Sequence, residues 1–169
     1  ADPVDDGLPI KVNAAQDRLR VLIIDDDQAD RHIVRRLLQS RTDPMEIIEA
    51  GDAIAAMDMA DDDIDVILLD YFLPGQTGLD CLQKLQQRWP WAAIVLMTGQ
   101  GDEAIAKRAI QTGATDYLPK RALSEGSLWR AINTSVEHAF MRWRIAEQQE
   151  ELSQFAAMMV PDFKAPVRA

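Results

Sequence analysis

One stretch limits this chain more than any other: Asp65-Val66-Ile67-Leu68-Leu69-Asp70, an unbroken apolar run that stops on an acid. Four consecutive apolar residues leave no polar face. As a strand they must be covered on both sides, the situation of a parallel sheet sandwiched between helices. Tyr71-Phe72-Leu73-Pro74 and then glycines follow, so the chain turns directly after Asp70. That places Asp70 at the carboxyl edge of the sheet, where open α/β sheets hold their ligands. Taken alone, Asp70 could equally do no more than cap the next turn.

The same grammar repeats along the chain. Arg20-Val21-Leu22-Ile23-Ile24 runs into Asp25-Asp26-Asp27, and helical spacing follows through Ile33, Val34, Leu37 and Leu38. Ile47 and Ile48 mark a weaker strand, and Ala53, Ile54, Ala56, Met57 and Ala60 a small-residue helix. Leu79, Leu82 and Leu85 space a third helix, which ends near Trp89-Pro90 because the residue before proline resists the helical region. Ala93-Ile94-Val95-Leu96-Met97 closes on Thr98-Gly99. Residues 102–112 read as a helix with Gly113 as its C-cap, and Thr115-Asp116-Tyr117-Leu118 leads to Pro119-Lys120. Strand and helix alternate five times over short connections, which demands a doubly wound five-stranded parallel sheet flanked by helices.

That topology delivers Asp25, Asp26, Asp70 and Thr98 to one edge, with Lys120 arriving from the fifth strand. Three carboxylates packed together raise one another's pKa, and a hard divalent cation relieves the repulsion. Mg²⁺ takes oxygen ligands and often uses one or two carboxylates beside a phosphate oxygen. With a lysine to neutralise further charge and a hydroxyl to bond a phosphoryl oxygen, these are the parts for phosphoryl transfer onto a carboxylate.

Four marks in order give the stretch a family resemblance: Ile23-Ile24-Asp25-Asp26-Asp27; Leu69-Asp70 with Pro74 and Gly78 behind it; Met97-Thr98-Gly99; and Tyr117-Leu118-Pro119-Lys120. Residues 19–125 resemble the receiver domain of two-component response regulators. The resemblance implies strand order 2-1-3-4-5 and Asp70 as phosphoacceptor. It implies Mg²⁺ (or Mn²⁺) held by Asp25, Asp26, Asp70 and the backbone carbonyl of Phe72. Lys120 would bind the phosphoryl group, Thr98 would close on it, and Tyr117 would reorient with phosphorylation. Phe72 and Gln100 would flank the path of the hydrolytic water. The donor would be a sensor histidine kinase or phosphotransfer protein. Asp27 has an ordinary reading beside this one, a solvated acid at a helix start. Many receivers carry proline after the lysine with a cis bond between them; Arg121 stands there, and a trans bond is expected.

The flanks complete the organisation. Pro3, Gly7 and Pro9 among acids make residues 1–18 a flexible leader, and the opening Ala1 in place of Met reads as a processed, cut or engineered terminus. From Ser127 to Val160 there is no glycine or proline, longer than an ordinary globular helix. Residues 126–160 are therefore expected to form a long output helix that pairs two copies of the chain, with Ile132, Val136, Trp143, Leu152 and Phe155 along it. Ile132, Val136, Ala139 and Trp143 fit one register and Ile145, Leu152, Phe155 and Met159 another, so a stutter is expected between them. Folding back onto the chain's own domain is the ordinary alternative. Residues 155–168 resemble the start of a histidine-kinase dimerisation helix, with Asp162, Phe163 and Pro166 in the family's places but Pro161 where its histidine would stand. Residues 161–169 would then be a truncated kinase-like segment, and the parent protein histidine-kinase-like.

Composition narrows the function. A net charge of −10 argues against nucleic-acid binding. Cys81 is the single cysteine, so no internal disulfide forms and a reducing, cytoplasmic setting is expected. No apolar run reaches membrane-spanning length. Beside the phosphorylation switch stand two other classes: a receiver-shaped interaction module indifferent to phosphorylation, and a Mg²⁺-dependent phosphohydrolase using Asp70. The phosphohydrolase commonly needs a second acid two residues after its nucleophile, where this chain has Phe72. Beyond accepting and losing its own phosphoryl group, the chain is expected to carry no stand-alone catalytic domain.

Overall fold

The structure is a computed structural model that describes residues 18–41, 44–59, 63–73, 75–99 and 103–159. Its elements are β1 (Leu19–Ile24), α1 (Gln28–Gln39), β2 (Met45–Ala50), α2 (Ala53–Met59) and β3 (Val66–Asp70). A short hairpin of β4 (Phe72–Leu73) and β5 (Gln76–Thr77) precedes α3 (Gly78–Arg88). Then follow β6 (Ala93–Thr98), α4 (Glu103–Thr112), β7 (Asp116–Pro119), a single 3-10 turn over Lys120–Ala122, and α5 (Glu125–Met159). The five-stranded parallel sheet runs β2-β1-β3-β6-β7. This is the expected 2-1-3-4-5 order, with the small hairpin added to the strand count.

Every residue of the three central strands β1, β3 and β6 is buried, because helices cover both faces. Alternation then sorts the side chains into two cores. Leu22, Ile24, Ile67, Leu69, Ile94 and Leu96 face α2, α3 and α4, where the thiol of Cys81 is fully buried. Val21, Ile23, Val66, Leu68, Val95 and Met97 face α1 and α5. Burial pushes the Cys81 thiol pKa up, as expected of an inert packing residue.

Local chemistry fixes the element ends. Asp27 caps α1, its carboxylate accepting the Ala29 N–H at 2.8 Å and the Asp30 N–H at 3.4 Å. Thr77 and Asp80 form a reciprocal capping box at the start of α3. Gly78 is required there: a Cβ would lie 2.6 Å from the Asp70 carbonyl oxygen and 2.9 Å from Tyr71 Cα. The absent side chain lets α3 start hard against the end of β3. Gly113 ends α4 at φ 118°, a backbone conformation that side chains disfavour. Ser124 and Ser127 cap α5 by exchanging N–H to Oγ bonds at 2.9 and 3.1 Å. The described peptide bonds are all trans, that between Lys120 and Arg121 included.

The long helix departs from the reading of it as a separate output element. Leu128, Trp129, Ile132, Val136 and Ala139 are buried against the sheet and α1. The globular body therefore continues past residue 125 as far as Ala139. Ile132 and Val136, expected along a helix pairing two copies, are instead core residues of this chain. Trp143 is half-buried and sets its ring against Phe140, with centroids 5.8 Å apart. From Met141 to Met159 α5 buries no residue, and Met141, Ile145, Leu152, Phe155, Met158 and Met159 are exposed. Among the described residues, no helix is long and apolar enough to cross a membrane. Residues 1–17 and 160–169, which include the expected kinase-like segment 161–169, lie outside the described residues.

Candidate functional site

The ends of β1, β3, β6 and β7 meet at one sheet edge. In-register pairing sets Asp70 beside Met97 and Thr98 beside Pro119, which fixes the relative heights of those side chains. Oxygen atoms of Asp25, Asp26 and Asp70 all lie within 4.8 Å of one another. Asp25 and Asp70 are buried and Asp26 is exposed. The Lys120 ammonium reaches into this group, 2.7 Å from Asp25 Oδ2 and 3.3 Å from Asp70 Oδ1. Thr98 is fully buried at the end of β6.

Electrostatics follow from this packing. Burial first, and the negative charge of Asp25 second, push the Asp70 pKa from 3.8 up to about 6; Lys120 and the Phe72 N–H, both bonded to the carboxylate, pull the other way. For Lys120, burial disfavours the charge, but hydrogen bonds to Asp25 and Asp30 and the charges of Asp25 and Asp70 outweigh it and raise the pKa. The ammonium is therefore permanent at physiological pH. It does not fully neutralise three neighbouring acids. An oxygen-only donor set with a surplus of negative charge and one exposed member fits a hard divalent cation such as Mg²⁺.

The structure thus brings together Asp25, Asp26, Asp70, Thr98 and Lys120, all singled out in the sequence. Asp27 keeps its ordinary role as a helix cap, while its own N–H donates to Asp25 Oδ1 at 2.9 Å. Tyr117 lies half-buried on β7 against the core beneath α2, α3 and α4. Phe72 is half-exposed at the rim, its ring edge-on to Tyr71 at 4.7 Å. Gln100 and Pro74 lie outside the described residues.

Two contacts escaped the sequence reading. Asp30, one turn into α1, accepts from Lys120 Nζ at 2.8 Å. Arg31 donates to the main-chain carbonyl of Asp25 and pairs with Glu49 on β2 at 3.4 Å. The only local signal was a charged first turn of α1. Lys120 comes from the far end of the sheet, and nothing in the sequence pairs it with that turn.

Residues 21–133 match the family model for the response regulator receiver domain. The chain belongs to that family. Over 101 residues the receiver is 34% identical to the transcriptional regulatory protein CpxR of Escherichia coli (strain K12), a match covering 60% of this chain and 42% of CpxR. Over 102 residues it is 38% identical to the nitrate/nitrite response regulator protein NarP of the same strain, covering 60% of this chain and 47% of NarP. The chain therefore spans less than half the length of these relatives. The crystal structure of a response regulator receiver domain protein from Clostridium thermocellum shares the fold at a TM-score of 0.63 and 26% identity, covering 71% of this chain and 95% of that one. Receiver domains of response regulators take phosphoryl groups from histidine kinases, and the geometry here is consistent with that role.

Proposed function

We propose that Asp70 accepts a phosphoryl group from a partner's phosphohistidine and that the phosphorylated receiver acts through α5. The observation that carries the reading is the meeting of Asp25, Asp26 and Asp70 oxygens within 4.8 Å, with Lys120 against the same group. An Asp70 carboxylate oxygen forms a bond to phosphorus as the donor's phosphorus–nitrogen bond breaks. The electron pair stays on the imidazole nitrogen, which takes a proton from solvent. Lys120 and Thr98 donate to phosphoryl oxygens and stabilise charge that spreads in the transition state. Mg²⁺ would be held by Asp25, Asp26, Asp70 and the Phe72 carbonyl, and when bound would neutralise charge on the acids and the incoming phosphoryl group. Thr98 and Tyr117 would relay the change of state. The setting is cytoplasmic.

The distal half of α5 supports a homodimer in this proposal. Met141, Ile145, Gln148, Leu152, Phe155 and Met159 recur at alternating steps of four and three, a continuous heptad seam. The sequence's two registers need no stutter under this reading, since one stripe serves the chain's own core and the other a second copy. Phe155 and Leu152 belong to the seam and Trp143 does not. The proposed parent protein, with residues 161–169 as the start of a kinase-like segment, would receive the signal through this helix.

The deciding experiment is incubation with acetyl phosphate and Mg²⁺ followed by intact mass. The parent should gain one phosphoryl group and Asp70→Asn none. Equal labelling of both, or of neither, overturns the reading.

A further inference from the structure

We propose that Asp30 is a positioning residue for phosphoryl transfer, holding the Lys120 ammonium in place while its other two carboxylate partners change state. The proposal rests on the phosphoacceptor reading of Asp70. An ammonium has three N–H donors, and Lys120 has three carboxylates around it: Asp25 at 2.7 Å, Asp30 at 2.8 Å and Asp70 at 3.3 Å. Asp25 and Asp70 belong to the cluster of potential cation ligands, and Asp30 does not. A bound divalent cation would draw on the charge of Asp25 and Asp70. Phosphorylation would then convert the Asp70 carboxylate into an acyl phosphate, whose negative charge sits on the phosphoryl oxygens. Of the three, only Asp30 is neither in the cation-ligand cluster nor the proposed phosphoacceptor.

The local structure suits that task. Asp30 sits in the first turn of α1, where the helix N-terminus favours an anion, and the Asp27 cap secures the turn. Beside the ion pair lies a cavity of about 140 Å³ lined by Asp30, Ile33, Val34, Lys120 and Leu123. A lysine side chain is long and flexible, and that space would let the ammonium swing away from Asp70. The Asp30 carboxylate closes off the alternative. Its side chain is 36% exposed, so shortening it opens no sealed void and spares the core.

In the test reaction an Asp70 oxygen bonds to the phosphorus of acetyl phosphate, the phosphorus–oxygen bond of the acyl phosphate anhydride breaks, and acetate leaves with the electron pair. Rates are read by intact mass at saturating Mg²⁺, with Mg²⁺ affinity and melting temperature measured on the same samples. Asp30→Ala should lower the rate constant about tenfold, because displacing a charge-stabilising group by an ångström is costly. Its Mg²⁺ affinity should stay within about twofold of the parent, since Asp30 is not a ligand. Asp30→Glu, which keeps the carboxylate, should restore most of the rate. Asp30→Asn, isosteric but neutral, should fall between and serves if the alanine variant melts early. A rate within about twofold of the parent in Asp30→Ala, a loss matched by an equal loss of Mg²⁺ affinity, or no restoration by Asp30→Glu overturns the proposal. Failure of the underlying reading looks different: the parent itself would gain no phosphoryl group at Asp70.

Discussion

Lys120 Nζ stands 3.3 Å from Asp70 Oδ1 but 2.7 Å from Asp25 Oδ2, so the ammonium is held more closely by the neighbouring acid than by the proposed phosphoacceptor. Asp70 is left short of compensation, and its raised pKa has a consequence for stability. The pKa is 3.8 in the unfolded chain and about 6 in the fold. Between those values the folded state binds more protons, so lowering the pH favours folding. Above pH 6 the buried charge costs up to about 3 kcal/mol. In chelator, the urea midpoint of Asp70→Asn should exceed the parent's at pH 7, and the gap should shrink at pH 4.5. A gap independent of pH would refute this.

Asp26 is the exposed member of the acidic cluster, so removing it should cost metal without costing the fold. Asp26→Ala should weaken Mg²⁺ binding roughly tenfold or more, because one of few oxygen ligands is gone. Relief of repulsion should leave the metal-free variant at least as stable as the parent. Titration calorimetry with Mg²⁺ checks the first statement and thermal melts in chelator the second.

The half-exposed ring of Phe72 bears on how long a phosphoryl group would survive at Asp70. An apolar ring cannot orient the in-line water that hydrolysis needs, and positioning supplies much of the catalysis of such transfers. Phe72→Asn places an amide there. Release of phosphate from the purified phosphoprotein, in Mg²⁺ and without a kinase, should be several-fold faster in the variant by the same reasoning. Decay at the parent's rate would show that access past Phe72 does not set the lifetime.

The two stripes of α5 should separate by mutation. Leu152→Glu should raise the dissociation constant of the proposed dimer at least about tenfold, since it would bury a charge in an apolar seam. Its receiver should melt as the parent's does. Ile132→Ala should destabilise the fold by about 2–5 kcal/mol through the cavity it leaves, with the seam untouched. A chain ending at Arg142 keeps Leu128 to Ala139 and should be a folded monomer by light scattering. Dimerisation of that shortened chain at the parent's strength would remove the seam from the distal helix.

Sequence alone determined the fold and most of the site. Val66 to Leu69 and Val21 to Ile24 have no polar face, and only a doubly covered parallel sheet buries them, so the acids after them had to share an edge. Asp25, Asp26, Asp70, Thr98 and Lys120 were legible because each ends a strand or follows within two residues of its end, and strand ends are set by short-range pattern. Tertiary structure decided what short-range pattern cannot carry. Asp30 finds Lys120 only because α1 lies beside the end of β7, and no spacing along the chain encodes that approach. The same limit applied to α5. Ile132 and Leu152 are equally apolar residues on one uninterrupted helix, and periodicity fixes which residues share a face. What covers a face depends on where the helix meets the sheet, and there α5 turns Ile132 to its own core and leaves Leu152 68% exposed.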